Sequence, residues 1–316
     1  MSNSVAILFL NTVNSNSPPF RKFIENLPTL NSDKCSVCSE LSKLLSSMWY
    51  GRKSIESPMA LISAMKNKGI QYEFGIEEDA HWFLQTLIQI MDEELVSELG
   101  VEYSIIDLFA TNKISELICE HCKKTDTQLC EINTVNTLGL TSDDICTLEE
   151  CIIAKNTSKI ELIKCNLCDS LNVNATLNYS MSGISPPVLC YHFDRYKWTG
   201  QILRRATRSA AKAKVQTYVF YPEDFDISSF IKEDPKNDNK KQYKLTAVIV
   251  HDGLTPISGH YYAFCYIKGN WYKCDDKNIV EVPRETVFQS NPFMLFYSNL
   301  YTPPTTTTTS TTTTKM

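Results

Sequence analysis

Two groups of residues have the types and spacing to do chemistry. The first lies in Ser258-Gly259-His260-Tyr261-Tyr262-Ala263-Phe264 and Gly269-Asn270-Trp271-Tyr272-Lys273-Cys274-Asp275-Asp276. A glycine turn enters one strand-like run and Lys268-Gly269-Asn270 separates it from the next, which predicts an antiparallel hairpin that brings His260 beside Asp275. A carboxylate on one ring nitrogen fixes the imidazole tautomer and stabilises the imidazolium, so the other nitrogen can take a proton from a thiol or hydroxyl. A histidine that caps a turn beside a solvated Asp275-Asp276 pair meets the same spacing. The second group is Cys119-Glu120-His121-Cys122 with Cys165-Asn166-Leu167-Cys168. Two thiols at i and i+3 on a tight knuckle reach one ion, and two knuckles complete a tetrahedral four-thiolate set for Zn2+; buried free thiols are the alternative. His121 reads as exposed rather than as a ligand.

The elements that must position these groups are partly visible in the apolar pattern. From Asp79, the residues Ala80, Phe83, Leu84, Leu87, Ile88, Met91 and Leu95 recur at helical spacing, and Gly100 stops the run. Asp92, Glu93, Glu94 and Glu98 fall on or near its wet side. A shorter helix over Met59 to Met65 closes at Lys66-Asn67-Lys68-Gly69. In Val188 to Phe193 both alternating faces are mainly apolar, the mark of a covered strand, with His192 as a core histidine. Cys35 and Cys38 open a further helical run through Met48 and read as buried thiols, with a redox pair as the alternative. Cys130, Cys146 and Cys151 have no partners at metal-binding spacing and read as structural. Trp198 to Lys214 reads as a basic solvated stretch, and Lys232 to Lys241 as a loop with almost nothing to bury.

With 316 residues, the chain can bury a substantial core. Its composition is 43% hydrophobic and 21% charged with a net charge of -5, which gives no electrostatic footprint for nucleic acid. Val5 to Leu10 is apolar but too short for a signal peptide or a membrane span, so no membrane association is expected. CxxC pairs without a secretory segment point to a reducing intracellular compartment, cytoplasmic or nuclear.

The segment from Tyr243 to Tyr297 resembles the histidine box of the ubiquitin-specific proteases, which are papain-like cysteine peptidases. Its matching features are Gly259-His260-Tyr261, Trp271-Tyr272-x-x-Asp275-Asp276 and Phe293-Met294-Leu295-Phe296-Tyr297. Cys274 stands where the family has an aromatic residue. Glu77-Glu78-Asp79-Ala80-His81-Trp82-Phe83-Leu84 is similar to the family's Gln-Gln-Asp-Ala-His-Glu-Phe-Leu signature, and Pro186 to Tyr196 to its central strand, with Asp194 in place of a lysine. The resemblance implies that His260 is the general base, that Asp275 orients it with Asp276 assisting, and that Asp79, with Glu78 beside it, binds the backbone of ubiquitin's extended tail. It also implies a strand over Val215 to Pro222, and joins the two CxxC pairs into zinc-bearing fingers that grip ubiquitin's body.

The fold so implied is α+β: a papain-like thumb over about residues 1–105, zinc-ribbon fingers over about 106–185 and an antiparallel palm over about 186–300, fingers and palm interleaved. A threonine-rich tail, 301–316, is expected to be disordered. Asn3-Ser4-Val5, the helix-like run Val5 to Leu10 and Pro18-Pro19-Phe20-Arg21 resemble the family's nucleophile helix. The matching cysteine would stand just before Met1, with the oxyanion asparagine further upstream. Aligned back from the prolines, Val5 takes the nucleophile position, and a hydrocarbon cannot attack a carbonyl. Two functions follow: a deubiquitinase whose nucleophile precedes the chain, or a ubiquitin-binding pseudoenzyme.

Overall fold

The computed structural model describes residues 18–28, 30, 34–50, 57–71, 79–182, 185–198, 212–232, 242–255 and 258–299. Four helices come first: α1 (Pro18–Glu25), α2 (Ser36–Tyr50), α3 (Met59–Asn67) and α4 (Ala80–Leu99). Asp79 caps α4, and Gly100, at φ 113°, ends it as the sequence pattern requires. One departure concerns Glu94, expected on or near the wet side of α4. It is buried at 5% exposure. Its carboxylate accepts the backbone N–H groups of Val37 (3.2 Å) and Cys38 (3.0 Å) and pairs with Lys68 at 2.9 Å. Burial is tolerated because the unpaired amides at the start of α2 and one ammonium supply the hydrogen bonds that water would otherwise give.

Two sheets of different character follow. A four-stranded antiparallel finger sheet has the order β2-β1-β6-β5, built from β1 (Thr111–Cys119), β2 (Thr125–Asn133), β5 (Thr157–Ile163) and β6 (Val173–Met181). The central sheet contains β3 (Asn136–Gly139), β7 (Val188–Asp194), β11 (Asp224–Asp226), β12 (Gln242–Thr255), β13 (Ser258–Ile267), β14 (Asn270–Asp275), β15 (Asn278–Val282) and β16 (Met294–Asn299). Its order is β15-β14-β13-β12-β16-β7-β3, with β11 also on β12. It is antiparallel except where β3 runs parallel to β7.

Both faces of β7 are covered, as its doubly apolar pattern predicts. Val188 and Cys190 face the cluster that holds the four helices, whereas Leu189, Tyr191 and Phe193 face a second core. That second core includes α5 (Leu148–Asn156) and α6 (Arg284–Phe288), through Cys151 and Val287. The expected strand over 215–222 narrows to β10 (Tyr218–Phe220), paired in parallel with β4 (Ile145–Thr147). At the edges of the basic stretch, β8 (Tyr196–Trp198) pairs with β9 (Lys212–Lys214), so its two ends are joined in a ribbon rather than a solvated helix or loop. Cys146 and Cys151, read as structural, lie in the core with sulfurs 3.6 Å apart, which spacing alone did not reveal.

Candidate functional site

The hairpin forms as expected. β13 and β14 pair from Ala263 with Cys274 to Ile267 with Asn270, leaving a two-residue loop at Lys268-Gly269. Both loop residues have positive φ, 49° and 97°, the geometry that matches the strand twist. At the other end of the hairpin, His260 Nε2 lies 2.7 Å from Asp275 Oδ1. With Nε2 so engaged, Nδ1 is the ring nitrogen that Asp275 leaves unoccupied. The second carboxylate oxygen, Oδ2, accepts from Lys273 Nζ at 2.9 Å. Burial works to raise the Asp275 carboxyl, but His260 and Lys273 outweigh it and hold it below the usual carboxylate range. Asp276 is exposed with φ 50°, and its carboxylate lies within 4.8 Å of the ligand atoms of His260 and Asp275.

A second histidine braces this end of the hairpin. His251 on β12 is buried, its Nδ1 3.0 Å from Tyr196 Oη, and its carbonyl accepts from Lys214 Nζ. Burial, with Lys214 nearby, takes the imidazole down to about 4. A Cβ on Gly259 would stand 2.2 Å from His251 Nε2 and 2.8 Å from the Asp252 carbonyl. Glycine before His260 is therefore a steric requirement. The sequence reading missed His251, Tyr196 and Lys273; only strand alternation links Lys273 to Asp275, which stand two apart on one strand.

Asp79 sits at the N-terminus of α4, where its Oδ1 accepts from the amides of His81 (2.7 Å) and Trp82 (3.1 Å). Both bonds use the same oxygen. The next residues tie this helix end to the central sheet: the His81 and His192 rings stack at 4.1 Å, and Phe293 packs edge-on against His192 at 4.8 Å. His192 is buried, as its strand position predicts, and burial, then His81 and Arg195, takes its imidazole down to about 3. Arg195 is itself buried, held by the carbonyls of Pro292 and Thr217 and by Asn291 Oδ1. Asp194, the charge reversal in this strand, is exposed and accepts from the Tyr196 amide. A cleft of about 760 Å³ lies where α4, the finger sheet and the central sheet meet, lined by Gln85, Lys113, Thr137, Lys155 and Tyr179.

Cys119, Cys122, Cys165 and Cys168 come together at the end of the finger sheet, all four sulfurs within 4.8 Å of one another. The two knuckles are built alike. In the first, Lys123 N–H donates to the Cys119 carbonyl (2.9 Å) and Cys119 N–H to the Lys124 carbonyl (3.1 Å). In the second, Asp169 N–H donates to the Cys165 carbonyl (2.9 Å) and Cys165 N–H to the Ser170 carbonyl (2.9 Å). Lys123 and Asp169, each just after the second cysteine of its pair, have φ 59° and 58°. The donor set fits zinc: Zn–S bonds of about 2.3 Å in a tetrahedron place sulfurs about 3.8 Å apart, and Cys122 and Cys165 stand at 3.9 Å. His121 is exposed, near Cys168 Sγ and Ser170.

Cys35 and Cys38 are buried against α4, and burial raises both thiols, the opposite of a reactive pair. Glu78, Val5, the Lys232–Lys241 loop beyond Lys232 and the 301–316 tail lie outside the described residues, as does the Cys130 side chain. No helix among the described residues is long and apolar enough to cross a membrane.

The comparisons with known proteins agree with this architecture. The family model described as Ubiquitin carboxyl-terminal hydrolase matches residues 7–297. Ubiquitin carboxyl-terminal hydrolase 19 of Arabidopsis thaliana is 28% identical over 290 residues, covering 86% of this chain and 40% of that protein. Ubiquitin carboxyl-terminal hydrolase 3 of Homo sapiens is 25% identical over 304 residues, covering 83% and 56%. The chain thus spans about half the length of these relatives. Among solved structures, the SAGA DUB module containing Ubp8, bound to ubiquitin aldehyde, superposes with a TM-score of 0.74 at 19% identity over 96% of this chain and 68% of that one. A match that spans residues 7–297, from the helices through the finger sheet to the hairpin, leaves one conclusion: the chain belongs to the ubiquitin carboxyl-terminal hydrolase family.

Proposed function

We propose that this chain is a ubiquitin-recognising domain that cleaves ubiquitin from its targets by thiol-dependent isopeptide hydrolysis when a cysteine stands directly before Met1. The observation that carries the reading is the 2.7 Å bond from His260 Nε2 to Asp275 Oδ1, which orients Nδ1 for a thiol. In the reaction the thiol loses its proton to His260, and the thiolate attacks the carbonyl of ubiquitin's terminal glycine. The imidazolium then protonates the leaving lysine amine, and water, deprotonated by His260, resolves the thioester. Asp275 holds the tautomer, with Asp276 beside it.

Asp79 Oδ2 takes a backbone N–H of ubiquitin's extended tail, with Glu78 preceding it. The finger sheet grips ubiquitin's globular body. Cys119, Cys122, Cys165 and Cys168 hold one Zn2+ as a structural cross-link. The working division is a thumb over about 1–105, fingers over about 106–185 and a palm over about 186–300. Structurally similar Ubp8 modules bound to monoubiquitin and to ubiquitin aldehyde support ubiquitin as the partner. None of the eleven described cysteines is in a disulfide, which supports an intracellular setting, nuclear or cytoplasmic.

A second reading, ubiquitin capture without turnover, is favoured by Val5 at the nucleophile position when the chain is aligned back from Pro18-Pro19. Single-turnover cleavage of a fluorogenic ubiquitin separates the two. It is measured for the 316-residue chain, for a chain extended upstream with cysteine before Met1, and for H260A versions of both. The extended chain is expected to cleave orders of magnitude faster and to be silenced by alkylation. If it is inert yet binds ubiquitin, the second reading stands; absence of ubiquitin binding overturns both.

A further inference from the structure

Lys273 is a charged side chain in contact with the dyad that neither the sequence motifs nor the proposed reaction uses. It stands two residues before Asp275 on β14, and strand periodicity puts both on one face of the sheet. Its Nζ lies 2.9 Å from Asp275 Oδ2 and 4.2 Å from the centroid of the Tyr262 ring on β13. The ammonium therefore has two fixed contacts, a carboxylate oxygen and an aromatic face, and both belong to the hairpin that carries His260. A lysine that only solvated the surface would need neither, because losing rotamer freedom opposes such pairing.

We infer that Lys273 is a positioning residue of the dyad: its ammonium, seated on the Tyr262 face, holds Asp275 Oδ2 so that Oδ1 points at His260 while only part of the carboxylate charge acts on the imidazole. A free carboxylate 2.7 Å from an imidazole strongly favours the protonated ring. A general base held in that state is spent before it meets a thiol, and the ammonium on the far oxygen counters this by opposing a second positive charge. The other groups facing His260 have their own places. Asp252 is its register partner on β12, His251 on the same strand stays neutral in the core, and Asp276 follows on the exposed turn. None of the three takes Asp275 Oδ2 in place of Lys273.

This inference rests on His260 being the general base, so its test does not depend on turnover. The His260 ring is titrated by NMR in the 316-residue protein, with its signal assigned by its loss in H260N among the five histidines of the chain. In K273M and in K273Q the His260 signal is expected to change with pH at a higher pH than in the wild type, because the far carboxylate oxygen has lost its cation, and the move is modest because the pair is partly exposed and screened. K273R, which keeps the charge, is expected to titrate with the wild type. An unchanged His260 in folded K273M and K273Q overturns the inference, and so does K273R moving with the neutral variants. Ubiquitin binding is measured by calorimetry on the same samples. Loss of ubiquitin binding by the wild type with the His260 shift intact would sink the proposed function and leave Lys273's role standing.

Discussion

The finger sheet is antiparallel throughout and the central sheet nearly so, yet they are held by different forces. In β7 six of seven residues are buried and in β16 all six are, so these strands are fixed by apolar burial on both faces. In the finger sheet β5 buries none of its seven residues, and β1 is buried only at its two ends. One of those ends is Cys119. A sheet with so little apolar surface to hide needs another source of order, and the four cysteines clustered at its tip, where two matched knuckles close, have the geometry to supply it by holding the proposed ion. The contrast teaches that packing fixes the sheet that carries His260 and Asp275, whereas the sheet that carries the four clustered cysteines is left with little apolar surface to order it.

Breaking the metal centre should therefore give the largest and most localised effect. C165S, or a strong chelator, is expected to unfold the knuckles and lower ubiquitin affinity more than tenfold, while amide exchange in β12 and β13 stays slow. Elemental analysis should find one zinc per chain in protein purified under reducing conditions; no stoichiometric zinc would reject the four-thiolate site. D79A comes next. It removes the proposed tail contact and the α4 cap together, with an expected loss of ~2 to 5 kcal/mol in ubiquitin binding and about 1 kcal/mol in stability. Equal affinity for ubiquitin with and without its last residues, measured by calorimetry, would release Asp79 from the first role and leave the second.

The same contrast explains what could be read in the sequence. The central strand, the long helix, the hairpin turn and the two knuckles were legible because each follows from spacing: alternation, a 3.6-residue period, a glycine turn, or cysteines three apart. Glu94 was not, because its partners, the Val37 and Cys38 amides and Lys68, come from helices that only the tertiary fold brings near. Lys273 and His251 escaped for a related reason. Each matters through a neighbour on another strand or turn, the Tyr262 face in one case and the crowded space over Gly259 in the other. Cys146 and Cys151 illustrate the limit from the other side, since five residues of separation say nothing about a strand meeting a helix end.

A smaller effect sharpens the comparison on the packed side. G259A forces a methyl group into the His251 ring and the Asp252 carbonyl, and an overpacked site of this kind costs about 1 to 3 kcal/mol. Urea unfolding should report that loss, and the His260 NMR signal should move with it, whereas the knuckle cysteines should keep their metal. A midpoint equal to wild type would mean that the ring moves aside freely and that His251 does not brace the dyad.

The smallest effect separates the two sheets by pH. His192 and His251 are buried neutral in the central sheet, with pKa values taken down to about 3 and about 4, against an ordinary value of 6.5. Because the unfolded chain binds protons that the folded chain refuses, the stability these two groups contribute is complete above pH 6.5 and falls as the pH drops toward 4. Between pH 7 and pH 5 each should cost about 1 to 2 kcal/mol, seen as a falling urea midpoint. Replacing His192 with asparagine removes one of the two titrations, so the variant's midpoint should fall less steeply over that range even though its stability at pH 7 is lower. The thiolates also protonate on acidification, so the experiment follows Tyr and Trp fluorescence at the central sheet and, separately, zinc release from the knuckles. A slope unchanged in H192N would mean that the His81–His192 stack opens to water before it titrates, and that this part of the sheet is less tightly packed than its burial implies.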